Sequence, residues 1–202
     1  MVKFKYHRNL EVGQLKIPFS YEYLLTEKPR LLNSSLSLTA KVGFILLLKG
    51  LRVKEIQGIL LDDITERDST TTILINRESD KEFTITFDTV EEMHLLYEAK
   101  TQAIFRGVPY LLSSKKIGKT DYTSFQGHSM QTVVSSISNF LGRSVSSETI
   151  RKSYLIYLAT VKNYTTEDFV EQLGFRYMSA AAFKNSLLES SNNNPYNKEQ
   201  AL

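Results

Sequence analysis

The chain has 202 residues, of which 42% are hydrophobic and 23% are charged. This composition is typical of a globular protein, and the length suits one large domain. The net charge of +3 is mildly basic, which is compatible with nucleic-acid binding but does not require it. The absence of cysteine excludes disulfides, thiolate catalysis and cysteine-ligated metals. Three scattered histidines lack helical metal-site spacing, and no apolar run is long enough for an export signal or a membrane span. We therefore expect a cytoplasmic protein without cofactor, metal or membrane partner.

The first predicted elements are an extended arm and three helices. Residues 1–18 mix charged and apolar side chains and predict the arm. A short helix over residues 21–28 is expected to be broken by Pro29. Ser34 or Ser35 is the predicted cap of the next helix, which precedes Gly50. Residues 51–61 predict another short helix, whose inward face is expected to consist of Val53, Ile56, Ile59 and Leu60.

A β-hairpin and a long helix follow. Residues 70–76 and 82–87 are rich in β-branched side chains and flank a charged segment, which predicts two strands with a polar tip. Asp88 or Thr89 is expected to cap a helix that extends to about residue 104.

The second half of the sequence predicts a loop and four helices. The loop covers residues 106–128 and contains several lysines. The predicted helices cover residues 129–141, 147–160, 166–173 and 179–188, and glycines after the first and third favour their ends. Residues 190–202 begin with a Ser-Asn-Pro stretch and predict a flexible tail, mobile or docked on a partner.

Three sequence motifs lie in a suggestive order. The first is Gly50-Leu51-Arg52, followed by Glu55 and by the acidic pair Asp62-Asp63. The second is Glu148-Thr149-Ile150-Arg151, and the third is Leu173-Gly174-Phe175. Together they resemble the two arginine motifs and the third conserved motif of the tyrosine recombinase (phage integrase) catalytic domain. The resemblance implies a mainly helical α+β fold with a small hairpin or sheet, over residues 19–189.

The resemblance also implies which catalytic groups should be present. Family members use a tyrosine nucleophile, two arginines, a histidine or tryptophan, a hairpin lysine and a further histidine, which together provide nucleophilic and electrostatic catalysis. Arg52 and Arg151 match the arginines. Glu148 stands at the histidine of the second motif, and Phe175 stands at the histidine or tryptophan of the third. Phe183-Lys184 occupies the place of the tyrosine, and the hairpin lysine falls near Arg77 or Glu78, with Lys81 a few residues late. We therefore expect no catalytic residues and no enzymatic activity.

The basic residues yield the expected binding site. Either arginine has an ordinary alternative role in a salt bridge, and the loop lysines have one as solvated surface. Tyr154, Tyr157 and Tyr164 are interpreted as packing residues, whereas Tyr196 remains open as a displaced nucleophile. The predicted nucleic-acid-binding residues are Arg52, Arg151, Arg77, Lys81, Lys115, Lys116, Lys119, Lys152 and Arg176.

The leading hypothesis is a sequence-specific binder of double-stranded DNA that does not cut it, serving as a transcriptional regulator or repressor of a phage or mobile element. The first alternative is a divergent active recombinase that uses Tyr196 or a partner's tyrosine. The second is an accessory protein that binds recombinase oligomers. The tail over residues 190–202 is also expected to mediate self-association, because family members commonly pass this segment to a neighbour. The N-terminal DNA-clamping domain of the family is not recognisable in this sequence.

Overall fold

The computed structural model describes residues 19–75, 82–115 and 121–192, with side chains described up to residue 187. This part of the chain forms eight α-helices and two small antiparallel sheets. The helices are α1 Tyr21–Leu32, α2 Leu38–Leu48, α3 Val53–Gly58, α4 Val90–Phe105, α5 Gly127–Leu141, α6 Ser147–Thr160, α7 Thr166–Leu173 and α8 Tyr177–Asn192. The strands are β1 Ile64–Arg67, β2 Thr70–Ile75, β3 Phe83–Phe87, β4 Ser113–Lys115 and β5 Tyr122–Ser124. The predicted mainly helical α+β class is confirmed.

The first sheet has the strand order β1-β2-β3 and one buried face. Ile73 pairs with Ile64 on one side and with Ile85 on the other, and all three side chains are buried. Alternate residues of β2 and β3 point to solvent, which is the pattern of a half-buried antiparallel sheet. The predicted hairpin is confirmed, and β1 is an additional strand.

A second hairpin of β4 and β5 lies within the segment predicted as a loop. Its register pairs Ser113 with Ser124 and Lys115 with Tyr122. Strands of three residues without apolar alternation carry no sequence signal. This hairpin is instead held by tertiary contacts, because the Arg106 side chain donates a hydrogen bond to Ser113 and stacks on the Tyr122 ring.

Helix α1 corrects the prediction that a helix ends at Pro29. Proline removes one backbone hydrogen bond, yet the helix continues to Leu32. Leu31 and Leu32 beyond the proline are buried, and their burial compensates for the lost bond. Ser34 therefore closes α1 by donating to the Leu31 carbonyl, and Ser37, rather than Ser34 or Ser35, caps α2.

The helix predicted over residues 51–61 is shorter than expected. Helix α3 ends at Gly58, and a separate 3-10 turn covers Leu61–Asp63. Leu60, predicted to face inward, is exposed because its backbone forms a bridge with Tyr110 in an extended segment. The α4, α6 and α7 predictions are confirmed within a residue, whereas α8 extends four residues past its predicted end at 188.

The apolar side chains form two cores that meet at α6. The larger core contains α1 to α5, the first sheet and Ile150. The smaller core contains Leu155, Leu158 and the apolar residues of α7 and α8. Tyr154 and Tyr157 pack against both cores. Helix α6 therefore positions the second sequence motif where the two cores meet.

Candidate nucleic-acid interface

Arg52 lies at the N-terminus of α3 and projects toward solvent. Gly50 turns the chain with a φ of +79°, a conformation that favours glycine, and Leu51 is completely buried. The Arg52 backbone N–H donates to a carboxylate oxygen of Glu55 at 2.7 Å, which fixes the start of the helix. The Arg52 side chain is 54% exposed, and its Nε lies 4.0 Å from the other Glu55 oxygen. Its guanidinium is therefore accessible to a ligand.

Arg151 lies in the second turn of α6 and is buried. Its Nε donates a hydrogen bond of 3.0 Å to the carbonyl oxygen of Gly50, a residue 101 positions away in the chain. Because Gly50 is two residues before Arg52, this bond joins the first and second motifs. Only 10% of the Arg151 side chain is exposed.

Phe175 brings the third motif to the same place. The Arg151 guanidinium carbon lies 5.6 Å from the centroid of the Phe175 ring, within cation–π range. Phe175 is itself buried, and its ring meets Phe169 edge-on at 5.8 Å. The structure thus gathers all three motifs around Arg151, although the sequence gave no indication of this depth of burial.

Glu148 lies beside Arg151 on the exposed side of α6. One of its carboxylate oxygens is 3.8 Å from Arg151 Nη1 and 3.7 Å from Lys152 Nζ. Its position in the first turn of the helix favours a negative charge. A carboxylate here repels phosphate and partly neutralises the two cations nearby.

The residues at the position expected for the nucleophile hold α8 in place. The Phe183 ring meets Phe169 edge-on at 5.6 Å. Lys184 Nζ donates a 2.8 Å hydrogen bond to the backbone carbonyl of Tyr164. Both side chains therefore anchor α8 to α7 and to the segment before it.

The three tyrosines near α6 have packing environments. Tyr154 and Tyr157 lie 5.1 and 4.9 Å from the Tyr21 ring, measured between centroids. Burial raises the pKa of Tyr154 to about 12, with further contributions from Tyr164 and Tyr157. Tyr164 donates a hydrogen bond to the Gln172 side chain. A hydroxyl that resists ionisation, as Tyr154 does, is poorly suited to nucleophilic attack.

The remaining predicted cations have different positions. Lys115 is exposed at the end of β4, Lys152 is partly exposed on α6, and Arg176 is exposed directly after Phe175. Arg106, which was not assigned a role from sequence, supports the Lys115 hairpin through Ser113 and Tyr122. The predicted residues outside the described ranges are Arg77, Lys81, Lys116 and Lys119, together with Tyr196.

A cleft beside Lys115 was not foreseen. It has a volume of about 240 Å³ and is lined mainly by hydroxyl side chains of α2, β4 and α5. Ser114 and Ser129 share a 2.7 Å hydrogen bond at its wall. The sequence offered no signal for it, because its hydroxyls come from segments that only the fold brings together.

The fold is similar to that of solved recombinases. One similar structure is a post-cleavage complex of the XerH site-specific recombinase with palindromic difH substrate, with a TM-score of 0.64 and 20% identity. Another is a pre-cleavage XerH complex with difH, with a TM-score of 0.61 and 20% identity. The chain has the fold of a tyrosine recombinase catalytic domain.

The match covers 86% of this chain but only 52% and 50% of the two XerH chains, so this recombinase-like chain spans about half their length. No protein-family model and no curated protein sequence matches it. Within the described ranges, no helix of this recombinase-like domain is long and apolar enough to cross a membrane.

Proposed function

We propose that this recombinase-like protein binds specific double-stranded DNA sequences without cleaving them. The observation that carries the proposal is the packing of Phe175 and Phe183 against Phe169, at and next to positions where the family resemblance calls for catalytic groups. A phenylalanine ring can neither donate a hydrogen bond to a phosphate nor attack phosphorus.

The neighbouring substitutions act in the same direction. Glu148 places a carboxylate where the family has a histidine, and an anion there disfavours the developing charge of a phosphoryl transition state. Lys184, next to Phe183, is engaged by the Tyr164 carbonyl. These features together support a scaffold in which cleavage chemistry has been replaced by packing.

Phosphate contact is the function that the remaining side chains support. Arg52 is accessible, and Lys115, Lys152 and Arg176 add partly or fully exposed positive charge. Arginine is suited to bidentate phosphate contacts, which fix the position of a protein on DNA, while base contacts supply sequence specificity. The DNA-bound state of both XerH complexes supports DNA as the partner.

Regulation is the use that such a binder best fits. A protein that occupies a specific site without cutting it can block or recruit transcription, so we propose a cytoplasmic repressor or regulator of a phage or mobile element. We further propose that residues 190–202 contribute to self-association. This segment carries Tyr196 and ends in Ala201-Leu202.

The test has two stages. Repeated selection from a random duplex library should first yield a DNA motif that the protein binds. Nicked suicide substrates carrying that motif should then give no covalent protein–DNA adduct, with an active tyrosine recombinase on its own site as the positive control. Failure to enrich any motif would contradict sequence-specific binding. An adduct that disappears in a Tyr196→Phe variant would instead establish a divergent recombinase.

A further inference from the structure

Helix α4 presents an apolar surface to solvent on the side opposite the core. Leu95, Leu96 and Ala99 of this helix are buried, whereas Val90, Tyr97 and Ile104 are each at least 60% exposed. Phe105, at the end of the helix, is 92% exposed. Contiguous exposed apolar side chains mark interaction sites, whereas isolated ones do not.

The spacing of these residues defines a continuous stripe. Val90, Tyr97 and Ile104 are seven residues apart, and seven residues make nearly two turns of an α-helix. The three side chains therefore lie almost in line along one face, with the exposed His94 and Thr101 between them. We call this set, with Phe105, the α4 stripe. A seven-residue apolar repeat is the pattern by which one helix packs along another.

We propose that the α4 stripe binds a second copy of this chain, with the two α4 helices antiparallel. A two-fold axis at Tyr97 places Val90 of each copy against Ile104 of the other, so one surface serves both partners. Asp88 and Glu91 lie at the N-terminal end, while Arg106 lies at the C-terminal end.

The ends of the helix determine the orientation. Antiparallel pairing brings the acidic end of each helix to the basic end of its partner and also opposes the helix dipoles favourably. Parallel pairing brings like charges together. The interface is separate from the predicted DNA-contacting residues, so the inference does not depend on the proposed function.

Sedimentation equilibrium measures the association. The wild-type protein should show a concentration-dependent dimer, and Tyr97→Glu should raise its dissociation constant by about tenfold or more, as expected for a central aromatic contact. Gln102→Glu is the matched control, because it introduces the same charge at an exposed position of α4 away from the stripe. It should leave the dimer unchanged, and both variants should unfold at the wild-type temperature.

Cysteine cross-linking tests the orientation, since the natural chain contains no cysteine. Under mild oxidation, a mixture of Val90→Cys and Ile104→Cys proteins should give a heterodimer, whereas either variant alone should give much less product. Tyr97→Cys should cross-link with itself. A wild-type protein that stays monomeric would overturn the proposal. So would a dimer that survives Tyr97→Glu, or one that is lost only when residues 190–202 are removed, since the latter assigns association to the tail.

Discussion

Replacing Arg151 with methionine should destabilise the protein, whereas the same replacement at Arg52 should not. Methionine retains much of the aliphatic stem of arginine, so it removes the guanidinium contacts without opening a large cavity. At Arg151 the lost contacts are the hydrogen bond to Gly50 and the cation–π contact with Phe175. The Arg52 side chain is instead largely in solvent.

The magnitude follows from those two contacts. A buried carbonyl that loses its donor costs about 1–3 kcal/mol. A desolvated cation–π contact adds about 1–2 kcal/mol. The free energy of unfolding should therefore fall by about 2–4 kcal/mol in Arg151→Met, a decrease in Tm of roughly 4–16 °C for a domain of this size. In Arg52→Met it should change by less than about 0.5 kcal/mol.

Urea denaturation of both variants, monitored by circular dichroism, measures these differences, and calorimetry gives the Tm values. Affinity for a selected DNA site should be measured on the same samples below the transition. Arg52→Met should bind all DNA sequences more weakly while remaining folded. Equal stability losses in the two variants would refute the structural role assigned to Arg151. Unchanged DNA affinity in Arg52→Met would refute the phosphate contact.

Three further outcomes are expected. Gly50→Ala should lower the unfolding free energy by at least about 2 kcal/mol in urea denaturation, because its Cβ would meet Tyr154 at 2.7 Å and its φ is +79°. The raised pKa of Tyr154 means that its stabilising effect is complete below pH 10.0 and is lost as pH rises toward about 12, so Tyr154→Phe should flatten the alkaline stability profile in that window. Lys28→Met should cost up to about 3 kcal/mol by leaving the buried Glu92 carboxylate without its cation 3.1 Å away, and adding Glu92→Gln should restore part of that loss.

Local signals explain why much of the helical framework was predictable. Ser146 and Thr165 cap α6 and α7 with hydrogen bonds to backbone N–H groups three residues on. Gly142 and Gly174 end α5 and α7 with positive φ. Each of these signals acts within one helical turn of its residue, so the sequence alone contains it.

The errors came from contacts that are distant in sequence. Strand β1 exists because Ile64 pairs with Ile73, and β4 is held by Arg106. Helix α1 passes through Pro29 because the larger core buries the residues after it. For the site, motif order indicated that Arg52 and Arg151 belong together. It did not indicate that one is exposed and the other buried, since that difference depends on a bond to Gly50 across 101 residues.

That difference decides how the two arginines bear on DNA binding. Arg151 has sufficient structural reason to be present, because it links three motifs and lies between two cores even without a ligand. Its presence therefore does not by itself argue for a phosphate. Arg52 forms only a long ion pair with Glu55 in the part of the chain that the structure describes, while its backbone rather than its guanidinium anchors α3. Because the fold gains little from that guanidinium, a loss of DNA affinity in Arg52→Met at constant stability is the measurement that separates a DNA-binding surface from a retained scaffold.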